Sequence, residues 1–250
     1  MKLVLALLLS ISTFSVFAED AKTLSNESSL SIVQTGGNAV SEAYNASTDT
    51  SYKPGTRDYR IYGNYTLSYA DDPKVEGIDK EENARNWIAG VEVTQDLSKK
   101  LGLLVGQNFE GNEFAGYEQR ANSDLGLKYQ FVKTDKLKSS LEIGYRYTDE
   151  KRVAVDEDGK DQFYFQKGNV TYRINQQITE TTSCSFYIQY LPNFTEAEDY
   201  QINFEPALTV KMSDIFSLKV AYRGQYDNQL NPGVEEYLDH TTTTALVAKF

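Results

Sequence analysis

Apolar and polar residues alternate along most of this chain, and the pattern is cleanest from Tyr117 to Tyr147. On the first arm Tyr117, Ala121, Leu125, Leu127, Tyr129 and Phe131 share one parity, while Glu118, Arg120, Asn122, Asp124, Lys128 and Gln130 share the other. A polar break at Thr134, Asp135 and Lys136 follows. The second arm then sets Leu137, Leu141, Ile143, Tyr145 and Tyr147 against Lys138, Ser140, Glu142, Gly144 and Arg146. A period of two over this length means a strand with one apolar and one charged face. Each arm is about as long as a bilayer-crossing strand needs to be.

The unit recurs. Weaker strands are predicted around Leu30 to Ile32 and Tyr44 to Tyr52. Clearer ones fall at Asp58 to Tyr69, Trp87 to Thr94, Leu101 to Phe109, Tyr164 to Ile174, Cys184 to Tyr190, Ile202 to Val210, Phe216 to Tyr222 and Leu238 to Phe250. That gives about twelve strands. Their connections alternate in length: short turns near Lys53, Ser98, Asp135, Asn175 and Ser213, longer acidic stretches near Lys74, Glu113, Asp156, Glu196 and Pro232. Only the first turn, at Gly36, departs from this rule.

The predicted fold is therefore all-β: a single antiparallel transmembrane β-barrel over residues 29–250, with short periplasmic turns and longer acidic extracellular loops. A β-sandwich also has alternating strands. Three features favour the barrel: charges at mid-strand on the polar face, alternating connection lengths, and a terminal aromatic. Phe250 shares parity with Leu246 and Ala248 and is read as the signal for barrel-assembly machinery.

Upstream, Lys2 precedes the apolar run Leu3 to Leu9, and Val16, Phe17 and Ala18 precede Glu19. This predicts a signal peptide at residues 1–18, followed by a periplasmic tail at 19–28. The chain carries 25 basic and 36 acidic residues, a formal charge of −11. A balance this acidic repels nucleic acid and argues against it as a partner. Mean hydropathy is −0.51, and past the leader no long apolar run predicts a membrane helix. The lone Cys184 excludes an internal disulfide framework and lies on the apolar parity of its strand.

The run Gly106 to Tyr117, followed by Arg120, Leu125 to Tyr129 and Leu141 to Arg146, resembles the YdiY-like family of unknown function known as salt-induced outer membrane proteins. Ser31 to Asn38 and the turn Ser51 to Pro54 agree with it. The most specific part is Phe114, Gly116, Tyr117 and Arg120 in their spacing. The resemblance implies an outer-membrane barrel and brings no catalytic residue, ligand or cofactor with it.

Three candidate chemistries remain. The inward parity carries Arg60, Glu92, Arg120, Asp124, Lys128, Glu142, Arg146, Lys167, Arg173, Glu205, Lys219, Arg223 and Asp239. These charges either cross-link into a plug or line a narrow wet passage for small polar solutes. His240, with Thr242 on the same face, is the only histidine; a residue of lipid-facing parity without an acid partner points away from an enzyme. The third is an acidic rim: Asp71, Asp72, Glu76, Asp79, Glu81 and Glu82, then Glu150, Asp156, Glu157 and Asp158, then Glu196, Glu198 and Asp199. Such a rim bridges to lipopolysaccharide or binds divalent cations, or is simply solvated. Outer-membrane lipid is an expected partner, and no cofactor is expected. Oligomeric state has no signature in the sequence.

Overall fold

The computed structural model describes residues 23–35, 41–71 and 80–249. Twelve antiparallel strands close into one barrel, each beside its sequence neighbours and the last beside the first. They are β1 (Leu24–Thr35), β2 (Ser41–Tyr52), β3 (Arg57–Asp71), β4 (Lys80–Asp96), β5 (Leu101–Asn112), β6 (Tyr117–Lys133), β7 (Leu137–Arg152), β8 (Gln162–Gln177), β9 (Thr182–Pro192), β10 (Tyr200–Lys211), β11 (Phe216–Asp227) and β12 (Leu238–Lys249). A single 3₁₀ turn, Glu113–Ala115, joins β5 to β6. The residues read above as a signal peptide, 1–18, and Phe250 lie outside the described residues.

The alternation explains the wall. Ile61, Val91, Val105, Leu125 and Ile143 stand exposed on the outside of the middle portion of their strands, forming an aliphatic band. Rings flank it. Tyr52 stacks on Tyr59 and Phe131 meets Tyr129 edge-on toward the short-turn end. Tyr147 stacks on Tyr164, and Tyr190, Tyr200, Tyr226 and Tyr237 form a continuous ribbon toward the loop end. An apolar belt between two aromatic girdles is the exterior of a membrane-spanning barrel, since rings with one polar edge suit the boundary between oil and water. No helix among the described residues is long and apolar enough to cross a membrane.

The strands are unequal. β4 and β6 have 17 residues and β7 and β8 have 16, against 12 for β1, β2, β5 and β10 to β12. Closure is also uneven. β1 and β12 share a register only from Glu27↔Lys249 to Leu30↔Leu246, whereas β1 and β2 pair from Leu24↔Tyr52 to Thr35↔Ser41.

Three expectations need correction. The tail predicted through residue 28 ends earlier, because β1 already pairs with β2 at Leu24; its serines and Asn26 satisfy each other and β2 hydroxyls without needing an apolar pattern. Tyr117 was expected on the outward parity and Glu118 on the inward one. A bulge between Tyr117 and Gln119 exchanges them, so that Tyr117 is buried at 5 % exposure and Glu118 pairs with Lys151 outside. An extra residue in one strand reverses facing on either side of it. Finally, Glu150 is not on the rim. β7 runs on to Arg152, and Glu150 points inward at 1 % exposure.

Candidate functional site: the barrel lumen

One side of the lumen is filled by charge. A chain of alternating ions spans seven strands, with one ion from each of six. Asp49 on β2 lies 2.6 Å from Arg60 on β3, and Arg60 lies 3.7 Å from Glu92 on β4. Glu92 and Lys128 on β6 meet at 4.0 Å, Lys128 and Glu142 on β7 at 3.0 Å, and Glu142 and Arg173 on β8 at 3.7 Å. The step from β4 to β6 passes over β5, where the inward residues opposite Glu92 and Lys128 are Gly106 and Gly102. With no side chain at either position, β5 adds no bulk along the line between the two ions; a Cβ on Gly102 would lie 2.7 Å from Thr94 Cγ2 and one on Gly106 3.6 Å from the Asp124 Cβ. Gly90 has a similar role: a Cβ on it would come within 2.5 Å of the Tyr62 ring, which lies beneath the Arg60 guanidinium.

Toward the loop end a second layer sits on the first. Arg146 binds Asp124 through two nitrogens at 2.9 and 2.8 Å, and Asn169 donates to the same carboxylate at 2.8 Å. Amides extend this layer through Gln189 to Asn203 on β10. Above it, Glu150 is held by Arg120 and by Arg152 at 2.8 Å. Arg120 also stacks on Tyr117 at 3.6 Å, and Arg152 on Phe163 at 3.9 Å. Lys167, 3 % exposed, donates to Gln201 at 3.1 Å, and Gln201 in turn donates to Asp227. Buried charges need this density of partners, because a carboxylate or guanidinium removed from water without one is strongly destabilising.

The other side is open. A cavity of about 220 Å³ runs between β1 to β4 and β10 to β12. Hydroxyls and amides dominate its lining, among them Ser29, Asn45, Ser47, Asn64, Thr66, Asn86, Thr241 and Thr243. Its charges are Glu205, Lys219, Arg223 and Asp239. Glu205 on β10 accepts from Lys219 at 3.1 Å and from Arg223 at 2.9 and 2.7 Å, both on β11. Asp239 stands apart from that trio, two residues nearer the loop end than Thr241, the register partner of Arg223.

All thirteen inward charges read from the sequence thus lie in this lumen, but in two settings. Nine belong to the packed side, and Glu205, Lys219, Arg223 and Asp239 face the cavity. Asp49, Glu150, Arg152 and Asn64 were missed. Glu150 shares parity with Glu142 and Arg146, so extending the strand count would have found it. Asp49 sits in the weakly patterned β2, where apolar contrast is small.

The mouth at the loop end is bridged. Asn231, between β11 and β12, donates to the Ala115 carbonyl at 3.1 Å, and Asn228 to that of Glu198 at 2.7 Å. β5 and β11 stand on opposite sides of the ring, so this loop reaches across the opening. Gly116, at φ +82°, packs so closely that a Cβ would lie 2.5 Å from that of Asn231. Of the rim acids, Asp199 is buried against Asn193, Glu81 and Glu82 are in β4, and Asp156 folds its own loop by accepting from the Asp158 and Lys160 amides. Asp72, Glu76 and Asp79 lie outside the described residues. Among the described residues no group of three or more metal-ligating side chains comes together. His240 is on the outer face, stacked on Tyr222 at 5.7 Å.

A family described as "Protein of unknown function, DUF481" matches residues 28–250. The chain belongs to this family. DUF481 membership spans the whole described barrel apart from the first residues of β1. The uncharacterized protein YdiY of Escherichia coli strain K12 is 22 % identical over 215 residues, covering 84 % of this chain and 77 % of YdiY. Among solved structures the NanC porin is similar, with a TM-score of 0.50 and 9 % identity over 90 % of this chain and 96 % of that one. The KdgM porin gives a TM-score of 0.45 at 10 % identity, over 90 % and 98 % of the two chains. At such identities the likeness is one of barrel architecture.

Proposed function

We propose that this chain is an outer-membrane barrel acting as a narrow, passive pore for small polar solutes, with no catalytic role. The observation that carries this reading is the cavity of about 220 Å³ along the β1–β4 and β10–β12 side, lined by hydroxyls and amides. Uncharged polar groups replace a solute's water shell without holding it, which conduction requires. The ion-paired side keeps the wall rigid while the other side stays wet. We connect this pore with osmotic or salt conditions, a reading that only the family resemblance supports.

The test is single-channel recording of refolded full-length protein in planar bilayers across ionic strengths, with liposome swelling in small sugars. Discrete openings and sugar entry are expected. Their absence after complete refolding removes the pore reading. A second reading is favoured by the loop bridge from Asn231 to Ala115: a closed structural barrel whose exposed loop acids bind divalent cations or lipopolysaccharide. Calcium binding seen by calorimetry together with a silent barrel would support it.

A further inference from the structure

The open side of the lumen is not uniformly wide. Arg223 leaves β11 and its Nη1 comes within 3.5 Å of Asn64 Oδ1 on β3. β11 and β3 are separated by β12, β1 and β2, so this contact crosses the cavity instead of following its wall. It is long for a hydrogen bond and therefore weak. The other edge of the same guanidinium is firmly held, since Nε and Nη2 both donate to Glu205. One arm of Arg223 is thus anchored and the other only leans on Asn64.

The backbone adds a second observation at this level. The β10–β11 register runs from Gln201↔Asp227 to Phe204↔Gly224 and resumes at Ala207↔Ala221. The interruption falls at Glu205 and Pro206, opposite Arg223 and Tyr222. Proline has no N–H to give the ladder. Glu205 and Arg223 therefore meet across this seam through their side chains, while each stays in the ladder on its other edge, Glu205 with Tyr187 and Arg223 with Thr241.

We propose that Arg223, held by Glu205 and leaning on Asn64, is the constriction of the pore and gives it a preference for small anions. This rests on the pore reading above. Glu205 balances one of its two cationic partners, which leaves one surplus positive charge where the passage is narrowest. A field is strongest where low-dielectric walls lie closest, so this charge, at the contact that crosses the cavity, outweighs Asp239, which stands two residues nearer the loop end. A halide or a small carboxylate entering the passage takes the Nη1 edge in place of Asn64, passes, and returns it. A cation meets the same edge and gains nothing.

Bilayer recording under a potassium chloride gradient tests this with refolded wild type, Arg223→Gln, Asn64→Asp and Asp239→Asn, each first shown to shift gel mobility on boiling. Wild type is expected to reverse on the chloride side of zero. Arg223→Gln should raise conductance and move reversal toward potassium, further than Asp239→Asn moves it toward chloride. Asn64→Asp, which turns the weak contact into an ion pair, should lower conductance, and it keeps the proposal testable if Arg223→Gln does not refold. A wild type that conducts with neither Arg223→Gln nor Asn64→Asp differing from it overturns the constriction and leaves the pore standing. A silent wild type overturns the pore itself.

Discussion

The two sides of this lumen are built from the same strand alternation and solve opposite problems. On the β2–β8 side, long charged residues meet acid to base, and glycines add no bulk along the line between them, as Gly102 and Gly106 do opposite Lys128 and Glu92. On the side formed by β10–β12, β1 and β2 many inward residues are short, Ser29, Ser47, Thr241, Thr243 and Ala245 among them, and the long Glu205, Lys219 and Arg223 are gathered into one trio. Side-chain length decides which half fills. A ring of about twelve strands is too wide for short residues to close and narrow enough for paired arginines and glutamates to do so. The open half also contains the shortest shared register of the wall, that of β1 with β12. Support is concentrated on the packed side, and the cavity is left to the other.

Glu150 offers the hardest test of that division. It is 1 % exposed between Arg120 and Arg152, so Glu150→Ala leaves two guanidinium groups facing each other. A loss of about 3–5 kcal/mol is expected, the usual effect of removing one partner from a buried ion cluster. Urea unfolding in lipid vesicles, followed by tyrosine fluorescence, reads it. Glu150→Ala together with Arg120→Met should recover part of the loss, because the second change removes an unpaired charge. A single change costing under about 1 kcal/mol, the range of a surface pair, would show that the cluster is solvated and that the two sides do not differ as described.

Next in size is Gly106→Leu. A Cβ on Gly106 would make an ordinary 3.6 Å contact with the Asp124 Cβ, and the further carbons of a leucine would push past it into the space between Glu92 and Lys128. Overpacking of this kind costs about 1–3 kcal/mol. The same unfolding assay should show it, while a threonine exchanged for valine on the open side should not. If Gly106→Leu is neutral, the glycines are not spacers for the ion chain.

How far the sequence alone carries this picture depends on which physical effect is local. Strand number, turn positions and the thirteen inward charges follow from parity, which each residue expresses by its own place in the chain. The Tyr117 and Glu118 exchange does not, because the bulge that causes it is set by how β6 meets β7. Nor does the split into a packed and an open side. Arg60 and Arg223 look alike in sequence, each directly following an outward tyrosine. What separates them is their partners: Arg60 meets an acid on each neighbouring strand, whereas Arg223 shares Glu205 with Lys219 and reaches across the cavity to Asn64. Asp49 was hidden for a related reason: β2 is so polar that its inward residues do not stand out.

The bridge over the mouth falls between the two sides and can be released separately. Gly116→Val places a β-branched residue at φ +82° against Asn231. The positive φ costs about 1–3 kcal/mol, and the loop between β11 and β12 can lift away to relieve the contact with Asn231. With that loop covering the open side, conductance per channel should rise together with this modest loss of stability. A drop in stability with unchanged conductance would make the bridge a structural tie instead of a cover.

The smallest effect on stability is the most informative about function. Thr243 lines the open cavity on β12, and the ion network does not include it. Thr243→Ala should shift unfolding by no more than about 0.5 kcal/mol, as substitutions away from packed features usually do. Thr243→Trp should be nearly as mild, since an indole facing a wet cavity displaces water and leaves the packed cluster undisturbed. It should nevertheless reduce single-channel conductance sharply, because the passage is only as wide as the residues left short along it. Equal loss of stability at Thr243 and Glu150 would contradict the division of labour. So would a tryptophan at 243 that leaves current untouched, for the solute path would then have to run through the ion pairs on the far wall.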